Sequence, residues 1–213
     1  DVATRRLIGG LFAADLVGPL PLKGYAEPIA AWRVRGERAV ASRFEALRAN
    51  VPLSPLVGRE AELASLAEHW REVRSGRGRV VLLSAEPGTG KSRLAAALAE
   101  RLVTEMPVEL RCFCSPRRRD SALFPVIGML ERCAGFRPDD PPERRLAKLA
   151  ALLDGNEDDV GLVAELLALP TPRHALSSLA PAVKRERTLA TVLHFIERLA
   201  ARAPVLMLFE DVH

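Results

Sequence analysis

Apolar residues along this chain follow two different spacings, which predict two kinds of element. Short runs that are apolar or alternate in polarity predict strands over 18–23, 28–34, 80–83, 108–114 and 203–209. Apolar residues three or four positions apart predict helices near 4–11, 37–50, 60–74, 123–133, 142–153, 158–169 and 183–201. Together these elements predict an α/β fold.

The strongest local signal is a turn between the strand at 80–83 and the following helix. Its sequence, Ala85-Glu-Pro-Gly-Thr-Gly-Lys-Ser92, fits the Walker A pattern G-x-x-x-x-G-K-[ST] except at the first position, where Ala85 stands. Backbone N–H groups of such a turn point into one concavity, and the helix behind it adds the positive end of its dipole, so the turn can hold phosphates. We therefore predict ATP and Mg²⁺ as cofactors. The predicted contacts come from Glu86, Pro87, Gly88, Thr89, Gly90, Lys91, Ser92 and Arg93.

Two of these side chains have separate chemical roles in the motif. Lys91 supplies a positive charge at the β- and γ-phosphates, and Ser92 supplies a hydroxyl group to Mg²⁺. Ala85 leaves one question open, because a methyl group there is tolerated at negative φ and costly if the loop needs positive φ.

A second candidate site follows the last apolar run of the chain. The strand predicted over 203–209 ends in Glu210 and Asp211, as in a Walker B motif. In that arrangement one carboxylate holds Mg²⁺ through water and the other polarises the attacking water. We predict Glu210 and Asp211 as catalytic residues, and Ser92, Glu210 and Asp211 as metal ligands; the order of the pair leaves open which acid holds the metal. His213 is either a sensor of the nucleotide or an ordinary surface histidine.

The segment Pro55-Leu-Val-Gly-Arg-Glu60 lies upstream of the Walker A turn, and this combination resembles the STAND and origin-recognition-complex-like AAA ATPases. In those families this leading segment closes over the adenine, which implies that Val57, Gly58 and Arg59 contact the nucleotide. The resemblance covers residues 55–213 and includes Glu210-Asp-Val-His213. It implies an additional-strand P-loop NTPase, a three-layer α/β/α fold whose parallel sheet has a further strand between the two Walker strands. This sequence is expected to cover the ATPase domain only as far as the end of the Walker B strand.

The first 36 residues differ in composition from the rest of the chain, because glycine and proline stand between pairs of apolar residues. This pattern predicts a short β-hairpin. These residues resemble the C-terminal end of a class III adenylate/guanylate cyclase domain, in which a lysine at the position of Lys23 approaches the substrate phosphates. A solvated turn lysine is the simpler interpretation of Lys23. The expected organisation is a cyclase end at 1–36, a linker helix at 37–54 and the N-terminal part of an ATPase domain at 55–213.

The amino-acid composition bears on which class of protein this is. The chain is 48% hydrophobic and 27% charged, which is typical of a soluble globular protein, and it has no apolar run long enough to span a membrane. We expect a cytoplasmic protein. A net charge of +4 is spread along the chain apart from Arg117-Arg-Arg119, so no direct nucleic-acid partner is expected. The three cysteines lack the number and spacing of a zinc site and are expected in the core.

The predicted function is an ATP-binding, slowly hydrolysing signal-transduction switch fused to a nucleotide cyclase domain. The expected partners are ATP or ADP, the cyclase domain, a downstream helical-repeat domain that the resemblance implies, and a nucleotide-dependent oligomer. The present chain alone is expected to be inactive. Two alternatives stay open: the ATPase module of a LuxR-type DNA-binding regulator, and an inactive nucleotide-binding scaffold, for which Ala85 is the reason.

Overall fold

The computed structural model describes residues 1–8, 12–37, 56–114, 123–171 and 179–212. The predicted linker helix after Glu37, the run Arg117–Arg119 and His213 lie outside the described residues. The chain forms two compact units, residues 1–56 and residues 57–213, which are described separately.

The first unit contains a helix and a hairpin. Helix α1 spans Val2–Ile8, and strands β1 (Phe12–Leu20) and β2 (Ile29–Glu37) pair antiparallel, with Leu20 opposite Ile29. The hairpin is confirmed, but its first strand lies earlier than the predicted range of 18–23. The strand includes Pro19, which lies opposite Ala30, and it ends at Leu20. The register shifts between Leu16 and Gly18, where Gly18 has φ 110°, a conformation that glycine tolerates.

The second unit places helices on both sides of a parallel strand pair. Strands β3 (Val108–Phe113) and β4 (Val205–Glu210) pair with Leu110 opposite Met207. The helices of this unit are α2 (Glu60–Arg74), α3 (Lys91–Leu102), α4 (Phe124–Cys133), α5 (Pro142–Leu152), α6 (Glu157–Leu166) and α7 (Pro181–Arg202), with a 3₁₀ turn at Val103–Glu105.

Successive side chains of β3 and β4 point to opposite faces of the sheet, so each face contributes to a different buried cluster. On one face, Leu110 and Cys112 of β3 belong to a buried cluster contributed by α4 to α7, and Met207 of β4 packs against it. On the other face, Leu206 packs against a smaller cluster of Trp70, Leu98 and Leu102 from α2 and α3. The predicted helix–sheet–helix layering is therefore present around β3 and β4.

The apolar run Val80–Leu83 is the main departure from the predicted sheet. No strand is assigned to these four residues in the described chain, and all four are exposed, with Val80 fully so. A run of apolar residues becomes a strand only where a neighbouring strand takes up its N–H and C=O groups. The sheets of the described chain are β1 with β2 and β3 with β4, and neither includes this run, so the prediction of a paired Walker A strand is wrong for the described structure.

Two further expectations concern burial and membranes. Cys112 is buried in the core as expected, but Cys114 is only partly buried and Cys133 is exposed. Burial raises the pKa of the Cys112 thiol to about 11. Among the described residues, no helix has the length and apolar character needed to cross a bilayer.

Candidate nucleotide-binding site

The turn before α3 takes its shape from two glycines. Gly88 and Gly90 have φ of 82° and 93°, in the left-handed region that side chains with a Cβ disfavour. Gly90 is the N-cap of α3, and its carbonyl accepts the N–H of Leu94 at 2.9 Å. The glycines thus turn the chain sharply into the helix, as the Walker A spacing requires.

The start of α3 differs from the start of α6 in its capping and its charge. Helix α6 has three acidic residues in its first turn, and the side chain of Asn156 caps its N-terminus. Helix α3 has neither: its first turn contains no acid, and no side chain of the described residues caps it. Its first turn carries Lys91, Ser92 and Arg93 instead, so the positive end of the helix dipole coincides with added positive charge. Helices α4 and α7 also have no acid in the first turn and no side-chain cap among the described residues, so the distinguishing feature of α3 is the glycine turn before it.

Lys91 folds back over the loop that precedes it. Its ammonium donates to the carbonyl oxygens of Ala85 at 2.7 Å and Glu86 at 3.0 Å. The carbonyl of Glu86 also accepts the hydroxyl of Thr89 at 2.8 Å and its N–H at 3.4 Å. These bonds place the Lys91 charge beside the exposed turn Pro87–Gly90. Ala85 is not among the described non-glycine residues with positive φ, so its methyl group causes no backbone strain in this loop.

The leading segment reaches the same turn through Arg59. Its guanidinium donates to the carboxylate of Glu62 at 2.7 Å and to the carbonyl of Thr89 at 3.3 Å. The hydrogen bond from Arg59 lowers the pKa of the Glu62 carboxyl group from its ordinary value. Gly58, with φ 70°, donates its N–H to Glu60 at 3.2 Å, and Val57 is exposed.

The remaining predicted residues of the loop lie in the first turn of α3. Ser92 is partly buried there, next to Lys91. Arg93 is directed along its own helix, with its guanidinium 3.5 Å from the carboxylate of Glu100. The structure thus brings Arg59 to Thr89 and Lys91 to Ala85 and Glu86, while Arg93 extends toward the next turns of the helix.

The acidic pair lies at the carboxyl end of β4. Glu210 is opposite Phe113, on the same face of the sheet as Leu206, the face that α2 and α3 cover. Its carboxylate is 3.5 Å from the guanidinium of Arg111 on β3, and both side chains are largely buried. Asp211 follows the strand, is exposed and has φ 58°. The two acids therefore have different surroundings.

The donor set around these residues can be compared with the needs of Mg²⁺. No group of three His, Cys, Asp or Glu side chains that could hold a metal occurs in the described part of the chain. A Mg²⁺ ion prefers few protein oxygens and fills its other positions with water and phosphate oxygens. The hydroxyl of Ser92 and one carboxylate at the end of β4 are oxygen donors of that kind, so the residue types present fit the ion.

Comparison with known proteins identifies the family of this chain. The family model described as "AAA ATPase domain" matches residues 55–213, which is most of the chain. The chain belongs to the AAA ATPase domain family. This family uses ATP with Mg²⁺, in agreement with the two cofactors expected from the Walker A turn.

A curated relative extends the comparison over the whole chain. An uncharacterized protein of Rhizobium meliloti (strain 1021) is 32% identical over 215 residues, and the alignment covers 99% of this chain and 20% of the relative. The chain therefore spans about a fifth of that relative's length. No solved structure matches the chain.

Two residues of this site were not predicted from the sequence. Glu62 stands three positions after Arg59, a spacing that places both residues on one side of a helix start. This spacing is a signal from which the ion pair between them could have been predicted. Arg111 gives no such signal, since its contact with Glu210 joins two strands far apart in the chain.

Proposed function

We propose that the AAA ATPase domain of this chain is an ATP-dependent switch in a larger regulatory protein. The observation that carries this proposal is the start of α3, where a glycine turn, an uncapped helix end and the charge of Lys91 come together. A helix start without acid or cap favours a bound anion. A triphosphate chelated by Mg²⁺ supplies the anionic charge and the bond whose hydrolysis resets the switch.

Apart from Arg93, which extends along α3 toward Glu100, each predicted residue has a role in this proposal. Lys91 offers the phosphates a charged donor, which makes a stronger hydrogen bond than a neutral one. The turn Glu86–Gly90 surrounds the phosphates with backbone N–H groups, and Ser92 provides a hydroxyl to Mg²⁺. Glu210 and Asp211 are the candidates for orienting Mg²⁺ and the attacking water. Val57, Gly58 and Arg59 of the leading segment contribute to the nucleotide site from the start of α2.

We further propose that the parent protein joins a class III cyclase domain to this ATPase domain and to a downstream helical-repeat domain. The support is the resemblance of residues 1–36 to a cyclase end, together with a relative about five times as long as the matched region. In this proposal the protein is cytoplasmic, acts on its own cyclase domain rather than on DNA, and oligomerises with nucleotide. The scaffold alternative depended on strain at Ala85, and no positive φ occurs there.

Titration calorimetry with ATP–Mg²⁺ tests the nucleotide site. Replacing Lys91 with Ala removes a charged donor to the phosphates, and we expect a loss of about 2 kcal/mol or more in binding free energy. The matched control is Arg101→Ala, which removes one positive charge from the exposed last turn of the same helix. Equal affinity of the wild-type chain and Lys91→Ala would contradict the proposed site.

A further inference from the structure

Arg59 connects the start of α2 with the phosphate-binding turn. One side of its guanidinium donates to Glu62, and the other donates to the carbonyl of Thr89. The planar guanidinium presents its donors in a fixed fork, so a carboxylate that holds one side also orients the other. Arg59 and Glu62 are both well exposed, which separates this contact from the packing of the core.

The carbonyl that Arg59 contacts belongs to a residue that lies between two glycines. Thr89 stands between Gly88 and Gly90, which both have positive φ and which have no Cβ to restrict rotation. The carbonyl of Thr89 and the N–H of Gly90 belong to one planar trans peptide, so they point in opposite directions. A donor that fixes the carbonyl therefore also fixes the direction of the Gly90 N–H, at the N-cap of α3.

We propose that Arg59 is a positioning residue, which orients the phosphate-binding N–H of Gly90 through the carbonyl of Thr89 and is itself oriented by Glu62. This inference rests on the proposed nucleotide site and changes the role of Arg59 within it. The guanidinium acts on the phosphate side of the site through the backbone, so its contribution is independent of the base.

A series of three ligands separates this role from a contact with the base. Binding of ATP–Mg²⁺, GTP–Mg²⁺ and inorganic tripolyphosphate–Mg²⁺ is measured by calorimetry on the wild-type chain, Arg59→Ala and the control Arg71→Ala. Arg71 is an exposed arginine of the same helix. We expect Arg59→Ala to weaken all three ligands by the same factor, about tenfold, as for loss of a charge-assisted hydrogen bond. We expect Arg71→Ala to bind as the wild type does.

A second variant tests the orienting role of the carboxylate. Glu62→Gln keeps the shape of the side chain and removes its charge, so we expect a smaller loss that is again equal for the three ligands.

Three results would overturn the inference. A loss in Arg59→Ala confined to ATP would assign Arg59 to the base, and no loss in Arg59→Ala would remove its role altogether. An unchanged affinity in Glu62→Gln would contradict the part given to the carboxylate. A wild-type chain that binds none of the three ligands would instead overturn the proposed function, on which this inference depends.

Discussion

At the scale of single residues, the glycine turn before α3 is organised by side chains that bond to its backbone. Lys91 and Thr89 both donate to the carbonyl of Glu86, and Arg59 donates to the carbonyl of Thr89. The bond from Arg59 fixes the peptide between Thr89 and Gly90, and hence the direction of the Gly90 N–H. The peptide after Glu86 has no N–H, because the next residue is Pro87, so the bonds from Lys91 and Thr89 fix only the path of the chain there. The orientation of the loop therefore depends on a few donors, while its sharp turns depend on Gly88 and Gly90.

Ala85 gives the first prediction at this scale. Because Ala85 does not have positive φ, replacing it with Gly restores the Walker A consensus without relieving any strain. We expect Ala85→Gly to bind ATP–Mg²⁺ as the wild type does and to lower the free energy of unfolding by about 0.4–1 kcal/mol, since glycine has more freedom in the unfolded chain. Calorimetric titration and urea unfolding measure the two quantities. A clear gain in affinity would show that the alanine distorts the loop.

At the scale of elements, the connection between α4 and α5 is fixed by a buried carboxylate. The side chain of Asp140 is 1% exposed, forms ion pairs with Lys148 and Arg144, and accepts the N–H of Arg137 at 2.8 Å. These partners, with the hydrogen bond from Lys148 as the largest contribution, lower the pKa of Asp140. The ionised form is therefore favoured in the folded protein.

The lowered pKa of Asp140 predicts a pH dependence with a definite sign. A carboxyl group whose folded pKa lies below its unfolded value stabilises the fold above the unfolded pKa, and this contribution is lost as pH falls through the folded pKa. We expect Asp140→Asn to melt at lower temperature than the wild type at pH 7, with the difference shrinking below about pH 4. Thermal melts between pH 3 and pH 7 measure it. The exposed neighbour variant Asp139→Asn is the control, and a difference that stays constant with pH would contradict this assignment.

Helix α7 gives a second prediction at the element scale. Phe195 is 2% exposed within the larger core cluster, whereas Leu193, on the same helix, is 59% exposed. Removing a buried aromatic ring leaves a cavity, and we expect Phe195→Ala to lower the free energy of unfolding by about 3–5 kcal/mol. For the control Leu193→Ala we expect a change of about 0.5 kcal/mol or less. Chemical denaturation measures both changes. Similar effects of the two variants would show that the buried face of α7 is assigned incorrectly.

At the scale of the whole molecule, the chain separates into two compact units of different character. The first contains a two-stranded sheet, and an isolated two-stranded hairpin is at best marginally stable in water. The second contains both buried hydrophobic clusters and the matched ATPase domain. The proposed nucleotide site contains only residues of the second unit.

This division predicts the effect of removing the first unit. We expect deletion of residues 1–36 to leave the affinity for ATP–Mg²⁺ unchanged and to improve solubility, because exposed apolar residues such as Leu16 are removed with the sheet edges. Calorimetry and thermal melts with and without ATP–Mg²⁺ compare the two chains. The deletion would contradict a domain boundary near residue 37 if it lowered the melting temperature by more than about 10 °C. For a domain of this size, such a drop is equivalent to several kcal/mol.

What the sequence alone determined is local in the chain. The glycine turn and the helix that begins at Lys91 depend on bonds between residues a few positions apart, so their pattern is readable from contiguous residues. The hairpin of the first unit and the helices of the second followed from the same kind of short-range spacing.

What only the tertiary structure decided depends on neighbours that are distant in sequence. The apolar run Val80–Leu83 is typical of a strand, but neither sheet of the described chain includes it. The apolar spacing that predicts a helix over 183–201 does not decide which apolar side chains of α7 are buried: Phe195 lies in the larger core cluster, whereas Leu193 is exposed. Likewise, only the alignment of two strands sets Arg111 against Glu210. Hydrogen-bond pairing and burial are satisfied by the assembled elements, and a local pattern does not specify which distant groups will supply them.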